Sequence, residues 1–268
     1  MRQMVIFGLG YTATRIAARL RAAGWHVSAT GSAGDIDFAD ESAVRAALAG
    51  ATHVLSSVPP AEGTDPVLAR YGDSLRHAWI GYLSSTGVYG DTGGAWVDES
   101  AAVVGQGGTG RRAARSDADA AWLAKGARVL RLPGIYGPGR SAFDKVREGT
   151  ARRIDMPGQV FSRVHVDDIA SGALAALHAP PGAYNLADDL PASGAAVTEE
   201  ACRLLGVAPP PLQSISEAGL SPAAQGFYSE NRRVANGKAR RVLSWRPRYR
   251  DYASGLAAIL AAEGTDGN

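Results

Sequence analysis

Cysteine is almost absent from this sequence: among 268 residues only Cys202 carries a thiol. A single cysteine excludes an internal disulfide and offers no thiolate cluster for zinc or for an iron–sulfur centre. The residues around it, 199–205, follow the amphipathic pattern of a helix, so we expect Cys202 to be packed in the interior. The sequence predicts no metal site.

Long apolar runs and a dominant charge are also missing. No run approaches the ~20 apolar residues that span a bilayer, and the apolar run at residues 4–7 is too short for a signal peptide. Lysine and arginine number 28 against 26 acidic residues, an excess too small to indicate binding to nucleic acid or to a membrane surface. We therefore expect a cytoplasmic globular protein with no nucleic-acid partner and no membrane partner.

Short apolar runs alternate with helical stretches through the first half of the chain. The pattern predicts strands over 5–7, 25–30, 53–58, 78–84 and 127–132, and helices over 11–23, 42–49 and 112–124. Such alternation is typical of βαβ units, in which helices cover both faces of a parallel sheet. The predicted fold class is α/β, a doubly wound parallel sheet of the Rossmann type.

Beyond Gly137 the alternation loosens, and proline and glycine become frequent. A strand end followed by a helix is predicted over 164–177, and a further strand over 183–186. We predict a dinucleotide-binding domain over residues 1–187, in which residues 137–163 contribute to a substrate lobe. Residues 188–268 are predicted to form a smaller C-terminal substrate lobe.

A glycine turn between the first predicted strand and the first helix carries the clearest chemical signal. Gly8 permits a tight turn, Gly10 lets the backbone approach a pyrophosphate, and Ala13 keeps helix and strand close. The free N–H groups and the dipole at a helix start favour a phosphate. The turn therefore predicts NAD or NADP bound by Gly8, Gly10, Tyr11, Thr12 and Ala13. The alternative is a tight turn without a ligand.

The end of the second strand bears on the choice of dinucleotide. An acid at that point would bind the ribose 2′-hydroxyl of NAD and repel a 2′-phosphate. Thr30, Gly31 and Ser32 supply hydroxyls and amides but no acid, which favours NADP over NAD. Asp37 and Phe38 follow, and we expect them beside the adenine; the alternative for Asp37 is a plain turn acid.

Four further motifs occur in order along the chain: YLSSTGVYG at 82–90, LRLPGIYGPGR at 130–140, HVDDIA at 165–170, and NRRV at 231–234 with LSW at 243–245. Together with the glycine turn they span almost the whole chain. In this combination the sequence resembles the extended short-chain dehydrogenase/reductases, the NAD-dependent epimerase/dehydratase family. Many of those proteins are dimers, so the resemblance adds a homodimer to the expectations.

The resemblance implies a role for several positions. Ser85 matches the family's catalytic serine, which hydrogen-bonds the substrate oxygen, and Thr86 is a second candidate for substrate contact; the alternative for Ser85 is a hydroxyl that satisfies local backbone groups. His165 and Asp168 match a signature that is structural more than catalytic. The cofactor contacts implied beyond the turn are Ser57, Val58, Pro59, Pro133 and Ile135.

The family acts on small molecules, among them sugars linked to nucleotides, so the resemblance implies a sugar-like or nucleotide-linked substrate. Arg140, Arg163 and Arg233 could clamp an anionic group such as a diphosphate. Judged singly, each of these arginines could equally be solvated or structural.

The sequence departs from the family at its catalytic pair, Tyr-x-x-x-Lys. Alignment through Asp119 puts Arg111 at the tyrosine position and Arg115 at the lysine position. Arg115 could keep the contact to the nicotinamide ribose. Arg111 cannot replace the tyrosine, because a guanidinium stays protonated and offers no acceptor. General acid–base catalysis supplies about 10²–10⁴-fold in rate, so the standard chemistry would be severely slowed.

Three explanations of this departure remain open. The first is that another acid acts, such as Tyr89 or a residue within 91–99. The second is that the alignment fails in this glycine-rich region, and the third is that the protein binds the cofactor without turning it over. Two functions follow. The first is an atypical NAD(P)-dependent oxidoreductase or epimerase whose catalytic residues are Ser85, Arg115 and Tyr89. The second is a non-catalytic dinucleotide-binding regulator or scaffold. The persistence of the serine and lobe motifs favours the enzyme.

Overall fold

The structure, a computed structural model, describes residues 2–266. Its strands are β1 (Gln3–Phe7), β2 (His26–Ala29), β3 (His53–Ser56), β4 (Trp79–Ser85), β5 (Trp96–Val97), β6 (Arg128–Leu132), β7 (Gly134–Tyr136), β8 (Arg153–Ile154), β9 (Arg163–His165), β10 (Gly182–Asn185), β11 (Leu212–Gln213) and β12 (Arg233–Val234). Its α-helices are α1 (Tyr11–Ala22), α2 (Glu41–Gly50), α3 (Pro66–Tyr71), α4 (Gly110–Ala124), α5 (Ala142–Arg147), α6 (Val166–Ala175), α7 (Gly194–Leu205), α8 (Pro222–Tyr228), α9 (Gly237–Val242) and α10 (Tyr252–Asp266).

Six strands form one parallel sheet in the order β10-β6-β4-β3-β1-β2. The chain builds outward from β1 in both directions, so the strand order reverses between β1 and β3. In open sheets of this kind, ligands bind beyond the carboxyl ends of the strands at the point of reversal. The predicted fold class, a doubly wound parallel α/β sheet, is confirmed.

Alternate residues of the central strands enter two cores, because side chains of a strand point to opposite faces. On one face Ile6 and Leu55 pack with Ile16 of α1 and Ile169 of α6. On the other face Val5, Phe7 and Val54 are the corresponding residues, packed with Val44 of α2 and Trp122 of α4. Both faces are therefore covered, which explains why the strands read as continuous apolar runs.

The predicted strands and helices of residues 5–186 are all present, with ends displaced by at most a few residues. Helix α1 stops before Gly24, which takes a φ of 78°, the left-handed conformation that favours glycine after a helix. Cys202 is buried in α7, as predicted. Helix α3 is not evident from the periodicity because it has six residues; it is capped by Asp65, whose carboxylate accepts from the N–H groups of Val67 and Leu68.

The C-terminal residues contribute to two clusters. Phe143 of α5, Ala201 of α7 and Leu256 of α10 pack together beside the sheet. Leu243 and Trp245, in contrast, join the main core on the α1 and α6 face. The predicted domain boundary at residues 187 and 188 stays a prediction. Within residues 2–266, no helix has both the length and the apolar character needed to cross a bilayer.

Candidate dinucleotide and active site

The turn after β1 is built tightly from three strand ends. Gly8 has a φ of 82°, and a Cβ at this position would lie 2.9 Å from Cγ2 of Val58. The Gly8 N–H donates to Oγ1 of Thr30 at 3.2 Å, and the Leu9 N–H donates to the Thr30 carbonyl at 2.7 Å. Ser57 donates from its hydroxyl to the Gly8 carbonyl at 3.0 Å. Only glycine satisfies both the angle and the space at residue 8.

The start of α1 offers an anion site that fits a pyrophosphate. Gly10 is the N-cap residue and has no side chain that could accept a hydrogen bond. The first N–H groups of α1 are therefore left without a capping acceptor. Gly10 is exposed, and a Cβ built on it would meet no atom of the described residues within 4 Å. Uncapped N–H groups that face open space are what a phosphate requires at a helix start. Thr12 and Ala13 are buried and hold the helix against the sheet.

Tyr11 closes one side of this space. Its hydroxyl donates to the Pro138 carbonyl at 3.1 Å, and burial raises its pKa, with Arg15 opposing the rise. Gly137 is required here, because a Cβ would lie 2.6 Å from the Tyr11 hydroxyl oxygen. The guanidinium of Arg140 lies over the Tyr11 ring, 5.8 Å from its centroid. Arg140 therefore stands beside the glycine turn.

Thr30 does not lie where the sequence predicts it, in contact with the cofactor. It is 1% exposed, and both its hydroxyl and its carbonyl hold the glycine turn; Thr30 is therefore a structural residue. Gly31 has a φ of 107°, and a Cβ there would lie 2.8 Å from the Leu9 nitrogen. Gly31 and Ser32 stay exposed at the rim of the site, where the 2′-position of a dinucleotide would be expected.

Phe38 also differs from its expected place beside the adenine. Its ring packs edge-on against Phe7 and Tyr71, with centroid distances of 6.2 Å and 5.3 Å, because the side chain completes the core under α2 and α3. Asp37 remains exposed and accepts from the Ala39 N–H at 2.9 Å. Of the two, Asp37 keeps access to a ligand at this edge.

Ser85 is the last residue of β4, at the carboxyl edge of the sheet. It is half-buried, and its Oγ accepts from the Gly87 N–H at 3.1 Å. Because the oxygen acts as the acceptor, the hydroxyl hydrogen is available to a ligand. The neighbouring Ser84 is buried and donates to Asp119 at 2.6 Å. Thr86 is 4% exposed, so the structure does not support its predicted contact with the substrate.

Helix α4 carries Arg111 and Arg115, the two arginines that the sequence alignment sets against the family's catalytic pair. It connects the parallel neighbours β4 and β6, so it runs antiparallel to them and begins at the carboxyl edge. The Ser84–Asp119 hydrogen bond sets its register on β4. Four residues of α-helix span about 6 Å, so Arg115 lies one turn beyond Asp119 towards the carboxyl edge, and Arg111 lies one turn further.

Arg115 is half-buried, yet no group in the described part of the chain accepts a hydrogen bond from it or forms an ion pair with it. Burial lowers its pKa, and the nearby charge of Arg111 lowers it further. In the alignment through Asp119 this guanidinium takes the position of the family's lysine, which stays a prediction. Pro133, directly after the neighbouring strand β6, and Ile135, in β7, are partly exposed.

Tyr89 cannot serve as the missing acid in this structure. It is 2% exposed; its hydroxyl donates to Oδ1 of Asn185 at 2.8 Å and accepts from Arg131 at 3.0 Å. Burial raises its pKa. A general acid must reach the atom that it protonates, and this proton is enclosed between β4 and β10.

The buried ion pair of Arg131 and Asp119 was not evident from the motifs. Arg131 donates to both carboxylate oxygens of Asp119, at 2.6 Å and 3.0 Å, and the two side chains are 3% and 1% exposed. It ties β6 to α4 directly beneath Ser84. The sequence did contain one signal for this pair. Arg131 lies within the predicted strand 127–132, and a charge buried in a central strand requires a partner.

The predicted substrate arginines are largely committed elsewhere. Arg163 is mostly buried and donates to the carbonyls of Phe161 and Ala192, both at 2.8 Å. Arg233 donates to the Gly94 carbonyl. Arg232 is instead the residue near Ser85: a Cβ built on Gly87 would lie 3.2 Å from the Ser85 Oγ and 4.0 Å from Nη2 of Arg232. Neighbouring strand residues point in opposite directions, so the motif alone could not decide between 232 and 233.

Three buried titratable groups lie just after β10 and where β9 leads into α6: Asp188, His165 and Asp168. Asp188 is 2% exposed, and neither of its oxygens has a hydrogen-bond partner of normal geometry among the described residues. Burial raises its pKa to about 8, although Arg163 opposes the rise. His165 accepts from the Asp167 N–H at the start of α6, and burial lowers its pKa to about 4. Asp168 fastens the C-terminal segment by accepting from the N–H groups of Arg248 and Tyr249, so both signature residues have structural roles.

The pKa of Asp188 predicts a pH dependence of stability. Between its ordinary value of 3.8 and about 8 the folded protein holds the proton and the unfolded chain releases it, so this group's contribution declines as pH rises through that window. Each pKa unit corresponds to about 1.4 kcal/mol. We expect Asp188→Asn to make urea unfolding less sensitive to pH between 5 and 8.5 and to raise the midpoint most at 8.5. The exposed Asp155→Asn is the control; equal pH dependence of Asp188→Asn and wild type would contradict the prediction.

Comparison with solved structures places the chain among known folds. A conserved protein of unknown function from Silicibacter pomeroyi DSS is 40% identical, with a TM-score of 0.87 over 98% of this chain and 99% of that chain. The chain belongs to the same family as that protein. A dTDP-glucose 4,6-dehydratase from Bacillus anthracis str. Ames in complex with NAD is 14% identical, with a TM-score of 0.78 and coverage of 99% and 97%. A human epimerase family protein with NADPH is 16% identical, with a TM-score of 0.75 and coverage of 97% and 99%.

The fold is therefore that of the NAD-dependent epimerase/dehydratase family, and the resemblance drawn from the motifs is confirmed at this level. Among curated proteins, a 3-diazoavenalumate denitrifying reductase from a Streptomyces species is 35% identical over 144 residues. That match covers 48% of this chain and 45% of the reductase, less than half of its length. No protein-family model matches the chain.

Proposed function

We propose that the protein is an NAD(P)-dependent oxidoreductase of a small molecule, with an active site that lacks the family's proton-donating tyrosine. The observation that carries this proposal is the uncapped start of α1, where Gly10 borders open space at the carboxyl edge of the sheet. Ser85 ends β4 at the same edge. A dinucleotide held at the turn would extend along this edge towards Ser85.

Its relatives support a redox function over a purely structural one. The Bacillus dehydratase is in complex with NAD, the human epimerase family protein is with NADPH, and the Streptomyces relative is a reductase. We favour NADP because Gly31 and Ser32, at the expected 2′-position, bring no acid to the rim. Asp35 does not oppose this choice, since its carboxylate turns back to accept from the Ala29 N–H at 2.6 Å.

When bound, the nicotinamide would donate or accept a hydride. The chain's own residues would orient the substrate: Ser85 donates a hydrogen bond to the substrate oxygen, and Arg115 places a positive charge beside it. A guanidinium is not a proton donor for catalysis, so Arg111 does not take over the role of the tyrosine. The proton that accompanies reduction therefore comes from water, or the reaction requires none from the protein. A sugar-like or nucleotide-linked substrate stays a prediction.

The proposal is tested by following reduced nicotinamide absorbance in a panel of nucleotide sugars and small carbonyl compounds. We expect Ser85→Ala to lower kcat by about 10²-fold, because loss of one donor to a developing oxyanion typically costs that much or more. Ser100→Ala, an exposed hydroxyl, is the control. Tight cofactor binding without turnover of any compound would instead indicate a dinucleotide-binding regulator, and turnover unaffected by Ser85→Ala would contradict the assignment of the serine.

A further inference from the structure

The guanidinium of Arg115 is half-buried and has no acceptor among the described residues, unlike those of three neighbouring arginines. Arg131 is paired with Asp119, and Arg112 and Arg232 share Glu230. Removing a charge from water without a partner is costly, so a half-buried guanidinium without an acceptor is poorly compensated in the protein alone. A ligand that supplied the acceptor would remove this cost.

Arg111 adds a second uncompensated positive charge beside that of Arg115. Arg111 and Arg115 are four residues apart on α4 and so lie on the same face, where like charges destabilise a helix. The acids of the same helix do not offset them. Asp119 is held by Arg131, and Asp117 accepts from the Gly107 N–H at 2.9 Å. The two guanidinium groups thus form an uncompensated cationic pair at the start of α4.

Further donors lie on the adjoining turn. Helix α4 packs against the turn Thr86–Tyr89 that follows Ser85. The hydroxyl hydrogen of Ser85 is available to a ligand, and Nη2 of Arg232 lies against the same glycine, Gly87. Glu230 offsets one of the two charges of Arg112 and Arg232, so the combined charge of the arginines around this part of the edge stays positive.

We infer that Arg111 and Arg115 bind an oxyanion of the substrate, a carboxylate or a phosphate, and hold it next to Ser85. The planar guanidinium matches both groups with two parallel hydrogen bonds. This inference rests on the proposed function, because it names the substrate class of the same active site. The pair that transfers protons in the family is thereby replaced by a pair that selects an acidic substrate.

Calorimetric titration of the full-length protein tests this inference without any turnover. The probes are benzoate, phenyl phosphate and the neutral benzamide, each titrated with and without saturating NADP⁺. We expect at least one anion to bind the wild type, and benzamide to bind at least tenfold more weakly. The double variant Arg111→Gln/Arg115→Gln should bind that anion at least tenfold more weakly, whereas Arg246→Gln, at an exposed position outside the site, should bind it as the wild type does.

Arg115→Lys checks that the effect follows charge and not folding, since it should retain part of the affinity and unfold at the wild-type temperature. Equal binding of the anions by the wild type and the double variant would overturn the oxyanion site, as would binding of neither anion. The proposed function would survive both results if NADP⁺ still bound. It would fail on a different result, the absence of dinucleotide binding. Comparison of benzoate with phenyl phosphate identifies which oxyanion the pair prefers.

Discussion

Replacement of Gly10 by glutamate is expected to weaken dinucleotide binding by at least about a hundredfold without unfolding the protein. Gly10 is exposed and its Cβ direction is empty, so the new side chain costs little in the fold. Its carboxylate would stand where the pyrophosphate must lie. Two like charges about 4 Å apart near a protein surface repel by about 4 kcal/mol. Calorimetry with NADP⁺ and NAD⁺ measures the loss, and thermal unfolding verifies the fold.

Two further variants show whether the effect of Gly10→Glu on dinucleotide binding comes from its charge, from its added side chain or from its position. Gly10→Ala adds the Cβ alone and should lower the affinity far less than glutamate does. Ala18→Glu introduces the same charge at an exposed position two turns along α1 and should bind nearly as the wild type does. If Gly10→Glu bound both dinucleotides within threefold of the wild type, the turn would not be the phosphate site.

Replacement of Arg131 by methionine is expected to destabilise the protein by about 3–5 kcal/mol, because it leaves the buried Asp119 charge uncompensated. Asp119 is 1% exposed, and its remaining donor would be the Ser84 hydroxyl. Tyr89 would also lose the hydrogen bond that it accepts from Arg131. Urea unfolding followed by circular dichroism measures the change.

The loss of stability in Arg131→Met should come from the Asp119 carboxylate that is left without its partner, and not from the loss of the arginine side chain itself. The double variant Asp119→Leu/Arg131→Met should therefore regain part of the stability. Arg203→Ala, which removes an exposed partner of Glu200, should leave the unfolding midpoint unchanged. An Arg131→Met protein that unfolds at the wild-type urea concentration would show that the pair is solvated in solution.

Much of the fold could be predicted because its signals are local. The apolar run at β1 and the 3.6-residue spacing of Ile16 and Leu20 define a strand and a helix without reference to the rest of the chain. Elements with few residues, such as α3 and the two-residue strand β5, depend on contacts made by distant segments. The two-residue strand β12, for instance, pairs with β5 across more than a hundred residues of sequence.

The candidate site was predictable to a smaller extent. The positions of Gly8, Gly10 and Ser85 follow from motifs tied to the ends of strands. The directions of Thr30, Phe38 and Tyr89 do not, because each turns towards a partner that only the folded chain brings near. The same limit applies to Arg163 and Arg233, which the sequence predicts as substrate residues although their guanidinium groups donate to backbone carbonyls.

By itself, the sequence determined the order of the main strands and helices over residues 5–186, the glycine turn that suits a phosphate, and the presence of Arg111 and Arg115 on the helix aligned with the family's proton-transfer pair. These features depend on residue type and spacing along one segment. Tertiary structure decided which polar groups remain free for a ligand. Whether a guanidinium can bind a ligand depends on the acceptors within about 3 Å of it. Arg131 donates to Asp119 of α4 and Arg163 to the carbonyls of Phe161 and Ala192, which the folded chain brings into place, whereas Arg115 finds no acceptor in the described chain.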